Sequence, residues 1–284
     1  MAEVITSGQN PKIKTLMALQ EKSRERRQKG LFVLEGRREL EHALEAGYVL
    51  DTVFVCPEIL SLTNETPLLK EYLNSHSGDS HSRPDRESLP DRESPFIEVN
   101  NSVYSKIAYR EGTEGIIAEV VTPERTLASL ALPENPLIMV LESVEKPGNL
   151  GAVLRSADAA GADAVIICDP LTDLFNPNLI RASIGAIFTV PVVTATSAEA
   201  IKYLKDRKIQ ILTAQLQDSS LYYETDMRGG TALVMGTEAT GLTPVWRMAA
   251  DAHIRIPMLG RLDSLNVSVS AAILLYEAVR QRQK

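Results

Sequence analysis

The stretch that decides the fold is Leu137-Ile138-Met139-Val140-Leu141-Glu142-Ser143-Val144-Glu145-Lys146-Pro147-Gly148-Asn149-Leu150-Gly151-Ala152-Val153-Leu154-Arg155-Ser156-Ala157-Asp158. An unbroken apolar run without alternation describes a strand buried on both faces, and the Pro-Gly-Asn segment after it opens a helix, with Asn149 at the cap. The same unit recurs downstream. Strands are expected at 164–168, 189–193, 209–214, 232–235 and 252–256, and a closing helix at 268–282 with Val269, Ile273, Tyr276 and Val279 on one face. Apolar strands separated by helices form a parallel sheet covered on both sides, so residues 137–284 read as one α/β domain.

Working upstream, residues 123–136 are broken by Pro123, Pro133 and Pro136 and read as a linker. Residues 1–122 form a smaller α/β unit. Asn10-Pro11 starts a basic helix that Gly30 stops, and strands at 31–34 and 49–56 flank a helix at 37–46, with further strands at 96–99 and 115–121. Inside this unit, residues 75–95 hold almost no apolar side chain and repeat Pro84-Asp85-Arg86-Glu87-Ser88 as Pro90-Asp91-Arg92-Glu93-Ser94. Such a composition cannot offset its own ordering entropy, so a disordered insertion is expected there.

With 284 residues, of which 44% are apolar, the chain can bury two soluble cores, but no apolar run approaches the roughly 20 residues needed to cross a bilayer. Residues 1–11 lack the basic-then-apolar pattern of a secretory signal, which gives the expectation of a cytoplasmic protein. Cys56 and Cys168 stand far apart in apolar runs, and His42, His76, His81 and His253 are scattered, so neither a disulfide framework nor a metal site is expected. The net charge of −7 hides an asymmetry: residues 11–38 carry nine Lys and Arg against three Glu, a local charge of +6 that leaves −13 elsewhere. That segment is either a solvated helix face or a face that contacts nucleic-acid phosphates, with Lys22, Arg24, Arg26, Arg27, Arg37 and Arg38 as the binding candidates.

Parallel sheets bind ligands beyond the carboxyl ends of their strands, which directs attention to the loops after 141, 235 and 256. The first carries Asn149 and, further along its helix, Arg155, positioned to face one site. The second reads Gly236-Thr237-Glu238-Ala239-Thr240-Gly241-Leu242, two glycines bracketing a carboxylate, as a tight turn with close ligand approach requires. The third runs Pro257-Met258-Leu259-Gly260-Arg261-Leu262-Asp263-Ser264-Leu265-Asn266-Val267-Ser268-Val269-Ser270 into the last helix. Singly, each is also explained as a helix cap, a strand turn or a capped C-terminal helix. Dinucleotide and nucleoside-triphosphate fingerprints are missing, and no serine sits in a nucleophile elbow.

Together and in this order, the three segments resemble the SpoU (TrmH-like) family of SPOUT methyltransferases over residues 137–284. Asn149, Gly151 and Arg155 match the family's first motif; Gly236, Glu238, Gly241 and Leu242 its second; Ile256-Pro257-Met258 and Ser264-Leu265-Asn266-Val267-Ser268 its third. Lys146, where many members have Asp, and Ser270, where Ala is common, depart from the pattern. Phe32-Val33-Leu34-Glu35-Gly36 is similar to the small substrate-binding domain that precedes the catalytic domain in ribosomal-RNA members.

The resemblance implies a parallel sheet ending in a C-terminal trefoil knot, a homodimer with a shared active site, and S-adenosylmethionine as cofactor. It implies methyl transfer to a ribose 2′-hydroxyl, most readily in ribosomal RNA. The alternatives are a tRNA 2′-O-methyltransferase of the same fold and a catalytically silent RNA-binding or ribosome-assembly factor. Gly236, Thr237, Glu238, Gly241, Ile256, Met258, Ser264, Leu265 and Asn266 would hold the cofactor, with Ile256 and Leu265 flanking the adenine. Arg155, Asn149, Glu238, Ser264 and Asn266 would form the catalytic set. Arg155 is either a base on the hydroxyl or, since a guanidinium resists deprotonation, a phosphate clamp that steadies the developing oxyanion with Glu238 orienting it.

Overall fold

A computed structural model describes residues 3–60, 96–109, 114–237 and 239–283. The expected insertion at 75–95 and the side chain of Glu238 lie outside the described residues. The chain falls into two units, Met1–Pro123 with Phe175–Pro177, and Glu124–Leu174 with Asn178–Lys284.

In the first unit the elements run β1 (Glu3–Ile5), α1 (Pro11–Glu21), α2 (Ser23–Lys29), β2 (Leu31–Glu35), α3 (Arg37–Glu45), β3 (Leu50–Val55), α4 (Pro57–Leu60), β4 (Phe96–Val99), α5 (Asn101–Ile107) and β5 (Ile116–Val121). Among the described residues the sheet order is β1-β4-β3-β5-β2, with β1, β4 and β3 parallel and β5 antiparallel to both neighbours. Ile13, Leu16 and Leu19 of α1 join Phe54, Ile97, Val99 and Tyr104 in its core.

The sequence reading of one helix from Pro11 to Gly30 is corrected. Asn10 caps the start, its side chain accepting the Lys12 N–H at 2.8 Å, and Gly30 ends the run in a left-handed conformation at φ 62°. Between them, however, Lys22 is extended and splits the helix in two. Carbonyls freed by that break need donors. Arg26 supplies them, Nη1 donating to the Leu19 and Gln20 carbonyls at 2.5 and 3.1 Å.

The second unit runs β6 (Leu137–Glu142), α6 (Pro147–Ala159), β7 (Ala164–Cys168), α7 (Pro177–Ser183), α8 (Ala186–Thr189), β8 (Val192–Ala195), α9 (Ser197–Asp206), β9 (Gln210–Ala214), β10 (Ser220–Leu221), β11 (Thr231–Met235), α10 (Pro244–Ala249), β12 (Ala252–Arg255) and α11 (Val267–Arg282). Among the described residues its sheet has the order β10-β12-β9-β11-β6-β7-β8, parallel throughout. Every residue of β6, β7 and β11 is buried, as strands covered on both faces must be. One face of the sheet packs Ile138, Val140 and Ile166 against Tyr203, Leu204 and Trp246 from α9 and α10. Helices α6 and α11 pack against each other, and α11 also lies against β6 and β11.

Three local expectations differ from the structure. The strand expected at 189–193 starts instead at Val192, because Gly185, at φ 88°, launches the short helix α8 that ends at Thr189. Asn149 does not cap α6: Lys146 holds the cap and Asn149 lies in the first turn. On α11 the buried face is Val267, Ala271, Leu274, Leu275 and Ala278, while Val269 and Tyr276 are 47% and 50% exposed.

Candidate active site

The carboxyl ends of β12, β9 and β11, neighbours in the sheet, open into a cleft of about 390 Å³. Seven of the residues expected to hold a cofactor line it: Gly236, Thr237, Gly241, Ile256, Met258, Ser264 and Leu265. Its floor is apolar, from Met235, Leu242, Ile254, Val267 and Leu274.

The turn after β11 explains its glycines. A Cβ on Gly236 would lie 2.3 Å from the carbonyl carbon and oxygen of Gly241 and 2.6 Å from Leu242 N, all backbone atoms that cannot swing aside. Gly241 itself sits at φ 67°, the left-handed region where a side chain is strained. The closure is a bridge between Thr237 and Gly241, the Gly241 N–H donating to the Thr237 carbonyl at 3.0 Å, and Thr237 Oγ1 accepts the Thr240 N–H at 3.1 Å. The main chain here is thus folded tightly enough to present backbone groups to the cleft.

The first and third segments meet through two asparagines. Asn266 caps α11, its Oδ1 accepting from Ser268 N and Ser268 Oγ at 2.9 and 2.6 Å, while its Nδ2 donates to Asn149 Oδ1 at 3.2 Å. Ser264 Oγ donates to Asp263 Oδ1 at 3.3 Å on the cleft wall. Gly151, two residues after Asn149, lets α6 approach α7: a Cβ there would stand 2.5 Å from that of Ala182 and 2.7 Å from the Ser183 nitrogen.

Arg155 stands apart. Six residues beyond Asn149 on the same helix, it is displaced by about 9 Å along the axis and turned by about 120°. It is exposed, does not line the cleft, and makes no polar contact with the described residues. Asn266 also lies off the cleft lining, and Glu238 lies outside the described residues.

Of the basic candidates in the first unit, Lys22, Arg24, Arg27 and Arg38 are exposed and Arg37 is half-buried. Arg26 is a correction: at 4% exposed, with its guanidinium spent on the α1 carbonyls, it is a structural group and not a phosphate contact. Cys56 and Cys168 are buried free thiols, and burial pushes the Cys168 thiol far above its ordinary range, away from nucleophilic use. Among the described residues no group of three His, Cys, Asp or Glu could hold a metal ion, and no helix is long and apolar enough to cross a membrane.

Sequence reasoning missed the third wall. Ala214, Gln215, Leu216 and Gln217, the loop after β9, line the cleft, as do Arg247, Arg255 and Asp263. Arg247 donates to Gln217 Oε1 at 3.3 Å and Arg255 to Ser219 Oγ at 3.4 Å, which ties this loop down. The signal was available: the loop follows a strand of the same parallel sheet, so the positional rule that selected the other three loops applies to it as well.

Comparison with known proteins gives two adjacent domain matches. A family model described as the SpoU rRNA Methylase family matches residues 136–276, and one described as an MRM3-like substrate binding domain matches residues 10–118. The 23S rRNA (guanosine-2'-O-)-methyltransferase RlmB of Bordetella pertussis is 41% identical over 177 residues, 60% of this chain and 71% of the relative. Among solved structures, an RNA 2'-O ribose methyltransferase is 38% identical with a TM-score of 0.77, covering 99% of this chain and 100% of its own. An AdoMet-bound rRNA methyltransferase from Sinorhizobium meliloti is 27% identical with a TM-score of 0.84, covering 100% of this chain and 99% of its own.

Proposed function

We infer the function from one premise: the chain belongs to the SpoU rRNA methylase family. It is an S-adenosylmethionine-dependent enzyme that methylates a ribose 2′-hydroxyl of ribosomal RNA. The observation that carries this reading is the cleft at the carboxyl ends of β12, β9 and β11, built jointly by the glycine turn and the loop entering α11. Its volume of about 390 Å³ falls within the range of small-molecule sites, and its apolar floor with a backbone-rich rim suits an adenosine-bearing ligand.

When bound, S-adenosylmethionine supplies an activated methyl group together with its leaving group. The protein's task is then to hold two reactants in line, which can remove ~7–11 kcal/mol from a barrier. Gly236, Thr237, Gly241, Ile256, Met258, Ser264 and Leu265 would hold the cofactor, with Ile256 and Leu265 flanking its adenine. Asn149 and Asn266, joined by their amide hydrogen bond, present polar edges to the nucleotide. Arg155, exposed and uncommitted to any described residue, is free to meet RNA: its guanidinium takes a phosphate and steadies the oxygen on which charge develops, and Glu238 orients it.

The same reading takes the C-terminal chain through a trefoil knot and pairs two copies in a homodimer. The half-exposed apolar face of α11, with Val269 and Tyr276, supports that pairing. RNA is gathered by the exposed cations Lys22, Arg24, Arg27 and Arg38, with Arg37 beside them, and the protein works in the cytoplasm. Carrying the relatives' substrate over, the target is a guanosine of 23S rRNA. Mapping 2′-O-methyl groups in ribosomal RNA from cells with and without the gene tests this. One guanosine should lose its methyl group; unchanged ribosomal RNA, or a loss confined to tRNA, refutes the assignment.

A further inference from the structure

We propose that Glu142 is a positioning residue for S-adenosylmethionine, fixing the second leg of the glycine turn through Thr243 and so setting the affinity of the cleft. The proposal rests on the cofactor reading above. The turn from Gly236 to Leu242 has two legs. The first leaves β11, whose Met235 stands in ladder register with Leu141 of β6. The second passes from Gly241, bridged to Thr237 within the turn, and Leu242 through Thr243 into α10, and among the described residues no strand of the sheet pairs with it. Without an anchor, that leg would be the soft side of a turn whose Gly236, Thr237, Gly241 and Leu242 line the cleft.

Glu142 provides the anchor. It is the last residue of the interior strand β6 and is 3% exposed. Its Oε2 accepts the Thr243 N–H at 2.8 Å and its Oε1 the Thr243 hydroxyl at 2.6 Å. Thr243 occupies the cap of α10, yet its hydroxyl makes no capping bond, because it is turned to the carboxylate. Among the described residues all partners of Glu142 are neutral donors, so its burial is offset by hydrogen bonds alone and the geometry is correspondingly exacting.

Ser197 completes the arrangement. Its Oγ lies 3.2 Å from Glu142 Oε1 and 2.6 Å from Asp169 Oδ2, and it accepts the Trp246 indole N–H at 2.9 Å. A hydroxyl has one proton to give. With Asp169 the nearer acceptor, Ser197 is committed there, which leaves Thr243 as the principal donor to Glu142. Trp246, one turn into α10, ties the same helix to the network a second time.

The test uses the full chain, titrated with S-adenosylmethionine by calorimetry and melted without ligand. Thr243→Val should raise the Kd about tenfold, the effect of one hydrogen bond to a charged group, and should also lower the melting temperature, because it leaves the buried Glu142 Oε1 without its principal donor; the titration is therefore made well below each variant's melt. Thr243→Ser should restore the Kd. Glu142→Leu should weaken binding as well, while Glu142→Gln, whose oxygen accepts the Thr243 N–H and whose amide donates to a rotated hydroxyl, should stay within about threefold. If Glu142→Leu does not fold, the Thr243 pair decides. Wild type that binds, alongside Thr243→Val of unchanged Kd, overturns the proposal and leaves the function standing. Equal losses in Val and Ser overturn it too, since the hydroxyl would then be irrelevant. Wild type that does not bind S-adenosylmethionine overturns the cofactor reading itself.

Discussion

Gly236→Ala is the sharpest test of the cleft, because the perturbation is one methyl group and its collision partners are known. The added Cβ would meet the Gly241 carbonyl at 2.3 Å and Leu242 N at 2.6 Å, against an ordinary contact beyond 3.4 Å, so the facing strand of the turn must retreat by about 1 Å. Overpacking of this kind costs about 1–3 kcal/mol. Because the atoms that must move belong to a turn that lines the cleft, on the proposed cofactor role most of that cost should appear as lost affinity for S-adenosylmethionine, a rise in Kd of up to about 5- to 150-fold. The remainder should lower the melting temperature by a few degrees. Gly241→Ala is the matched control: nothing lies within 4 Å of its Cβ, and only the left-handed φ of 67° opposes it, at about 1–2 kcal/mol. Calorimetry with S-adenosylmethionine on both variants separates clash from strain. A Gly236→Ala chain that binds as tightly as wild type would show that the turn does not shape the site.

Three further outcomes are expected. Arg155→Ala should cut turnover on ribosomal RNA by about 10²-fold while cofactor affinity stays within a few-fold, since the residue lies off the cleft; near-normal turnover removes Arg155 from the chemistry. Replacing Lys22, Arg24 and Arg27 with Gln should weaken RNA binding and flatten its salt dependence, whereas Arg26→Gln should lower the melting temperature instead, because its guanidinium closes the α1 carbonyls; the reverse pattern in filter binding and melting would return Arg26 to the RNA-binding set. Burial and the neighbouring Asp51 raise the Glu119 carboxyl to about 7 from an ordinary 4.5. The unfolded chain therefore releases this proton first, and the folded state loses stability as pH rises from about 4.5 to 7, on the order of 3 kcal/mol once both states are ionised. Glu119→Gln should melt higher than wild type above pH 7 and at the same temperature near pH 4.5, and a gain independent of pH would mean another cause.

What the sequence made legible follows from how local each signal is. The runs at 137–141, 164–168 and 232–235 are apolar at every position, and the strands formed there differ from expectation by no more than a residue at either end. The stretch from Ala186 to Val193 is largely apolar, interrupted only by Thr189 and Pro191, and periodicity could not separate a helix of four residues from the strand that follows; Gly185 and Pro191 mark the break only once the backbone is seen. Arg26 was misread for a different reason. In a run of cations each one looks solvated, and it is the interruption at Lys22 that turns one of them inward. The cleft segments after β11 and β12 were legible because tight turns demand particular residue types, glycine above all. Glu142, Asp169, Ser197, Thr243 and Trp246 were not, since the network around one buried carboxylate is drawn from β6, the loop after β7, α9 and α10 and carries no spacing rule.

The two reactant sides of the site are therefore built on different physical terms. On the cofactor side every constraint is internal to one chain: a turn that only glycine can make, a left-handed closure at Gly241, and a leg pinned by a buried carboxylate. A site of that kind is preorganised, so cofactor binding should demand little rearrangement. On the other side Arg155 is exposed and has no polar partner among the described residues. A long, flexible guanidinium gains geometric precision only when something fixes both of its edges. On the proposed role of Arg155, transfer that depends on alignment should then be governed by the binding of RNA, which would complete the placing of its guanidinium, more than by the binding of the cofactor. Correct and incorrect RNAs would differ chiefly in turnover, with the cofactor held equally well in either case.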